Sequence, residues 1–238
     1  MNALPEVKML IIIPAYNEEE NLPGVIEDLK DHLDEIDMNH IVIIDDGSID
    51  QTTEVAKSLG ATVITFPYNL GIGGAVQTGF LYAAQNDYEI VLRCDGDGQH
   101  RADQISRLIE PVLTGRVDVV IGSRFLVEKS YDTPFLRNIG IKLFSVINSV
   151  IIGQKITDST SGFRAYNRKA IKFLAKHYPQ DYPEPEALVI LKKNGFRLAE
   201  VPVEMRQRMR GKSSITFFSA LYYMIKVCFA VFMGMFKY

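Results

Sequence analysis

The segment EIVLRCDGDGQHRAD, Glu89 to Asp103, decides how the chain is read. An apolar run, Ile90-Val91-Leu92, leads directly into two aspartates one residue apart, Asp95 and Asp97, with Gly96 and Gly98 after each and Gln99 and His100 next. In an extended segment residues i and i+2 point to the same side, so Asp95 and Asp97 face one space, with Gln99 next in line. Two carboxylates so placed repel unless a cation or protons relieve them. A hard divalent ion such as Mg2+ takes carboxylate and amide oxygens and keeps positions for phosphate oxygens. The glycines let the backbone turn and let a ligand come close. By itself the same pattern also describes an acidic surface turn.

Its surroundings separate the two readings. Val7 to Ile13, Ile41 to Ile44, Thr62 to Phe66, Ile90 to Leu92 and Val117 to Ile121 are short, β-branched and bounded by turn residues, and they predict buried strands. Helical stretches lie between them at about Glu18 to Leu33, Thr52 to Leu59, Gly74 to Gln85 and Asp103 to Leu113. Such alternation predicts an α/β domain with a mostly parallel sheet and helices on both faces. Ligands of such sheets sit beyond the carboxyl ends of the strands. Three polar clusters fall at those ends: Pro14-Ala15-Tyr16-Asn17-Glu18, Asp45-Asp46-Gly47-Ser48 and Asp95-Gly96-Asp97-Gly98-Gln99. Later in the chain, helices are expected at about Asn138 to Ile152 and Ala187 to Asn194, with a strand at Leu198 to Val203.

The chain has 238 residues, 47% of them hydrophobic, and a net charge of -3, so it can bury one sizeable core and gives no reason to expect a nucleic-acid partner. Cys94 and Cys228 have neither zinc spacing nor a disulfide framework, which fits a reduced compartment. The apolar run at Met9 to Ile13 is too short for a signal peptide and ends at Pro14. From Ile215 to Phe236 the only charged residue is Lys226, and aromatics and methionines occur on all sides. About 22 helical residues span about 33 Å, enough to cross a hydrocarbon core.

IIPAYNEEENL, VIIDDGSIDQT, YNLGIGGAVQTG, DGDGQH, IGSRF, DSTSGFRAYNR and EVPVEMRQRMRGKSS follow one another in this order. In that order they resemble the inverting family-2 glycosyltransferases of GT-A fold, and the pattern is similar to the dolichyl- or polyprenyl-phosphate sugar synthases. The resemblance spans about Met9 to Ser214. It implies a GT-A catalytic domain over residues 1–213 and a membrane-associated helix over residues 214–238. It implies that Pro14, Tyr16 and Glu18 line a nucleotide pocket, that Asp46 binds the nucleobase with Asp45 beside it, and that Asp95 approaches the ribose or a metal-bound water. Asp97 and Gln99 would hold Mg2+ or Mn2+ on the donor diphosphate, where a metal stabilises the leaving group.

Other residues complete the expected site. NLGIGGAVQTG lacks the G-x-G-x-x-G order of dinucleotide-binding loops; it places a helix N-terminus near the donor or simply makes a tight turn. Arg124 at a strand end and Arg137 before an apolar helix are candidate phosphate contacts. Asp158, Ser161, Gly162 and Phe163 match the family's acceptor-side loop. Arg206, Arg208, Arg210 and Lys212 alternate along one side of an extended segment, either as a loop closing over the diphosphate, with Arg208 and Lys212 as donor contacts, or as a collar for anionic headgroups. Glu184 and Glu186 lie between prolines as helix caps. The four histidines show no metal-ligand spacing, and only His100 is near the site.

The expected reaction moves a sugar from a UDP- or GDP-sugar to a polyprenyl phosphate, with inversion, at the cytoplasmic face of a membrane. A phosphomonoester is largely dianionic near neutral pH, its second pKa being about 6, so it needs positioning rather than a general base. A saccharide hydroxyl acceptor would instead need a carboxylate base, for which Asp158 and Glu186 are the candidates. Lys226 in the middle of the tail makes full insertion costly, so an interfacial helix, an oligomer or a small membrane partner is an alternative to a span. A catalytically inactive nucleotide-sugar sensor and a nucleotidyltransferase are the rival classes. Intact Asp97 and Gln99 disfavour the first, and the acidic AYNEEEN after the first strand disfavours the second.

Overall fold

The computed structural model describes residues 7–33, 38–126, 145–180 and 182–206. Their centre is a seven-stranded sheet in the order β3-β2-β1-β4-β6-β5-β7. The strands are β1 (Met9–Ala15), β2 (Ile41–Asp45), β3 (Thr62–Thr65), β4 (Ile90–Arg93), β5 (Val119–Ser123), β6 (Arg164–Asn167) and β7 (Leu198–Pro202). Only β6 runs against its neighbours, between β4 and β5. The helices are α1 (Leu22–His32), α2 (Thr52–Ser58), α3 (Ile72–Gln85), α4 (Ile105–Leu113), α5 (residues 145–152), α6 (Arg168–His177) and α7 (Pro183–Lys193).

The apolar runs are buried on both faces because a parallel sheet is covered on both. Leu10, Ile12, Val42, Ile44 and Val91 pack with α3, α6 and α7. Their neighbours Ile11, Ile13, Ile41, Ile43 and Leu92 pack with α1, α2 and α4. That is the two-residue alternation of a pleated strand, read once per face.

β1 runs two residues past the predicted end, through Pro14. The carbonyl of Ile12 accepts from Cys94 on the β4 side, so Pro14, two residues on, turns its nitrogen to the same side. It has no N–H to give, and the β1–β4 pairing stops at Ile12 opposite Arg93. The chain of β4 is released there into the Asp95–Gln99 loop, while Pro14 and Ala15 continue to pair with β2.

Other boundaries shift as well. α1 begins at Leu22 rather than Glu18, because residues 16–21 form the loop at the end of β1. β5 both starts and ends two residues later than predicted and so includes Ser123. α7 begins at Pro183, the position where a missing N–H costs nothing. β6 and α6 were not expected at all. β6 is four residues long and begins with an arginine. α6 has signals that could have revealed it: Asn167 caps it by accepting from Ala170 N, and Ala170, Ile171, Leu174 and Ala175 line its buried side. Among the described residues no helix is long and apolar enough to cross a membrane. The tail from Ile215, with Arg137, Arg208 and Lys212, lies outside the described residues.

Within GIGG, Gly73 serves packing. A Cβ on Gly73, in the first turn of α3, would lie 2.4 Å from the Gln180 carbonyl oxygen and 2.6 Å from its Cα. Gly73→Ala is therefore expected to destabilise the fold by about 1–3 kcal/mol, as overpacking against backbone does, and to lower the melting temperature in thermal denaturation. A variant that melts with the wild type would contradict this close approach.

Candidate active site

The carboxyl ends of β1, β2, β4 and β5 reach one edge of the sheet. Because β6 is reversed, its start lies at the same edge, with Arg164 opposite both Arg93 and Ile121. Reversal of this one strand brings the Asp158–Phe163 loop beside the Asp95–Gln99 loop. All three predicted clusters and the acceptor-side loop thus share one edge.

Asp95 is held on several sides. Its N–H donates to His100 Nδ1 at 2.9 Å, and its carboxylate accepts from Arg93 Nη2 at 3.3 Å. His100 Nε2 stands 3.7 Å from the other oxygen. An Nδ1 that accepts puts the imidazole proton on Nε2, facing the carboxylate. The ring of His100 stacks on Phe163, with centroids 4.6 Å apart. Burial alone would raise the Asp95 pKa, but His100 and the Arg93 guanidinium outweigh it and hold the carboxyl below its ordinary value. Burial pushes the His100 imidazole down to about 4, so it is neutral near pH 7. A Cβ on Gly162 would lie 2.9 Å from both Asp95 oxygens, which is why a glycine stands there.

Asp97 Oδ1 accepts from Gln99 N at 3.1 Å. Gln99 in turn accepts from Arg206 N on its carbonyl, and His100 bridges to Met205. The root of the basic segment is thereby tied to the acidic loop. Among the described residues no group of three His, Cys, Asp or Glu side chains is placed to hold a metal. An ion held by one or two carboxylates and completed by phosphate oxygens does not need such a group. Asp97 and Gln99 fit that arrangement; His100 Nδ1 does not, being engaged by Asp95.

Tyr16 is 45% exposed at the end of β1. Glu18 accepts from Asn21 Nδ2 at 2.6 Å, and its N–H donates to Thr52 Oγ1. The two adjacent aspartates of β2 differ. Asp45 is buried and accepts from Ser48 N and the Thr53 hydroxyl, so its carboxylate shapes the turn. Asp46 accepts from Leu70 N at 2.7 Å and Gly71 N at 2.9 Å, one amide per oxygen, which leaves lone pairs on both. Burial raises its pKa despite those two bonds.

At the loop before β6 Arg124 and Asp158 form a two-pronged pair. Arg124 Nε and Nη2 each donate to one Asp158 oxygen at 2.7 Å. Arg124 N and the Thr160 hydroxyl add to it, and the Asp158 side chain is 0% exposed. Glu200 fixes the loop by accepting from Thr157 N and Asp158 N. Ser161 is buried and accepts from Phe163 N. Glu186 sits in the first turn of α7.

Sequence reading missed Arg93, which is 2% exposed, and Arg164, which is 0% exposed. Arg93 also donates to Glu184 Oε1 at 2.8 Å and to the Tyr178 hydroxyl at 3.2 Å. Arg164 donates to the carbonyls of Glu184 and Ser159. Glu184, expected as a cap, instead turns its side chain to Arg93. An arginine at the end of an apolar strand could have signalled a buried partner.

Residues 10–174 match the model of glycosyl transferase family 2. The chain belongs to that family. It is 33% identical to a UDP-N-acetylglucosamine–dolichyl-phosphate N-acetylglucosaminyltransferase from Methanococcus voltae, over 82% of this chain and 84% of the relative. It is 29% identical to a polyprenol monophosphomannose synthase from Mycolicibacterium smegmatis, over 89% of this chain and 82% of that one. The crystal structure of glucosyl-3-phosphoglycerate synthase from Mycobacterium tuberculosis, in complex with Mn2+, UDP and phosphoglyceric acid, superposes with a TM-score of 0.71. The match covers 96% of this chain and 78% of that one at 20% identity, which shows the shared GT-A fold.

The buried imidazole has a measurable consequence. Below about pH 6.5 the unfolded chain takes up a proton on His100 that the folded chain refuses until about pH 4, so stability falls with pH across that window. In thermal denaturation without added metal, His100→Asn is expected to show a shallower loss of stability between those values than the wild type. Parallel profiles would show that His100 titrates normally in the fold.

Proposed function

We propose that this family-2 glycosyltransferase transfers a sugar, with inversion, from a UDP- or GDP-sugar to a polyprenyl phosphate. The observation that carries the reading is the closed Arg124–Asp158 pair. A hydroxyl acceptor needs a carboxylate base within reach, yet Asp158 has both oxygens on Arg124 and no exposed surface. Glu184 is likewise engaged by Arg93 at 2.8 Å, which leaves Glu186, half-buried in the first turn of α7, as the remaining candidate base. A phosphate dianion needs no base. Its oxygen bonds to the anomeric carbon as the bond from that carbon to the donor diphosphate breaks, and no proton moves. The names of the two relatives, a dolichyl-phosphate and a polyprenol-phosphate sugar transferase, agree with this choice.

In this reading Tyr16, Pro14 and Glu18 line the nucleotide pocket, Asp46 uses its remaining lone pairs toward the base, and Asp95 faces the ribose or a metal-bound water. Asp97 and Gln99 would hold Mg2+ or Mn2+, which supplies Lewis-acid stabilisation to the departing diphosphate. Ser161, Gly162 and Phe163 shape the acceptor side. Arg124, fixed by Asp158, presents positive charge there, joined by Arg137; Arg208 and Lys212 cover the diphosphate. Residues 1–213 form the catalytic unit. The apolar stretch from Ile215 to Phe236 keeps it at the cytoplasmic membrane face, where a polyprenyl acceptor resides.

The test is incubation of membranes containing the protein with UDP- and GDP-sugars, Mg2+ and polyprenyl phosphate. Release of nucleoside diphosphate that depends on polyprenyl phosphate, yields a lipid-linked sugar and disappears in Asp97→Ala is expected. Donor turnover without lipid product, restored by an oligosaccharide acceptor, would overturn the proposal.

A further inference from the structure

Arg93 is a poor choice for stability alone. It is fully charged and 2% exposed, and its Nε has no partner. Buried ion pairs of this kind are commonly replaced by apolar side chains without loss of stability, and an unsatisfied buried donor is costly. What the guanidinium does offer is a shape. One nitrogen, Nη2, carries two hydrogens and meets two carboxylates from different parts of the fold: Glu184 Oε1 at 2.8 Å, from the first turn of α7, and Asp95 Oδ1 at 3.3 Å, from the loop after β4. Nη1 reaches the Tyr178 hydroxyl, which keeps the plane of the fork from rotating. Gly162 leaves room for this contact, since a Cβ there would lie 3.0 Å from Arg93 Nη2. Asp95 itself stays 34% exposed on its open side.

We infer that Arg93 is a positioning residue: by clamping the Asp95 carboxylate to Glu184, it sets the orientation in which Asp95 meets the nucleotide donor. The inference rests on the functional reading above, in which Asp95 faces the donor. Arg93 does not touch the donor. It acts through Asp95.

The test uses the purified full chain and calorimetric titration with UDP and with GDP, each in the presence of Mn2+. Arg93→Met alone leaves Glu184 buried and unpaired, so it is paired with Glu184→Gln to restore charge balance. The double variant is expected to melt within a few degrees of the wild type. It is expected to bind the nucleotide about ten- to a hundredfold more weakly, the usual cost of losing a partner that orients a ligand-binding group. Wild-type affinity in the double variant would show that Arg93 only balances charge, and would overturn the inference. Arg93→Lys keeps the charge but not the fork. It is expected to lose at least about tenfold in affinity in the native background and less than about twofold when Asp95→Asn is already present. Equal losses in both backgrounds would also overturn it. Failure of the wild-type chain to bind either nucleotide would instead sink the functional reading, and the inference with it.

Discussion

The site depends on keeping carboxylates ionised at the end of an apolar sheet. Taking a carboxylate out of water is costly unless a cation and hydrogen bonds replace the solvent. The fold meets this with two arginines. Arg93 serves Asp95 and Glu184, and Arg124 serves Asp158 with two parallel bonds. Both arrangements require that β6 run backwards between β4 and β5, because only then does the Asp158–Gly162 loop face the loop that leaves β4. The missing N–H of Pro14 ends the β1–β4 ladder where that loop must start. The chemistry at this edge is therefore a consequence of topology and of a few backbone exceptions.

Much of the architecture was legible because its cause is local. Runs such as Leu10 to Ile13 and Ile41 to Ile44 are buried on both faces, and continuous β-branched runs are what such strands require. The polar clusters that follow them mark the ligand edge for the same reason. β6 was illegible because four residues opening with an arginine carry no strand signal. Its burial is imposed by β4 and β5 on either side, a long-range effect. The same holds for Arg93: the sequence shows a cation after an apolar run, and only the fold brings Glu184 to it. Asp45 and Asp46 look alike in the chain, yet one closes a turn and the other orders the Leu70–Gly71 backbone. His100 shows no metal-ligand spacing in the sequence. Its ring is spent on Asp95 and Phe163.

Fold similarity does not choose an acceptor. Glucosyl-3-phosphoglycerate synthase shares the architecture at 20% identity, and its crystal structure holds phosphoglyceric acid, whereas the closer-matching sequences are named for lipid phosphates. The choice falls to the loop before β6, where the Asp158 carboxylate is closed off by Arg124. Such a pairing suits a nucleophile that is already ionised. Asp158 in this pair is not arranged to remove a proton from a neutral hydroxyl.

The most direct measurement compares two acceptors that differ only in that respect: a polyprenyl phosphate and the polyprenol of the same chain length, with the same donor and metal. A lipid-linked sugar formed from the phosphate and not from the alcohol is the predicted result. Efficient transfer to the polyprenol hydroxyl would contradict the account, since it would require a protein base where Asp158 is locked.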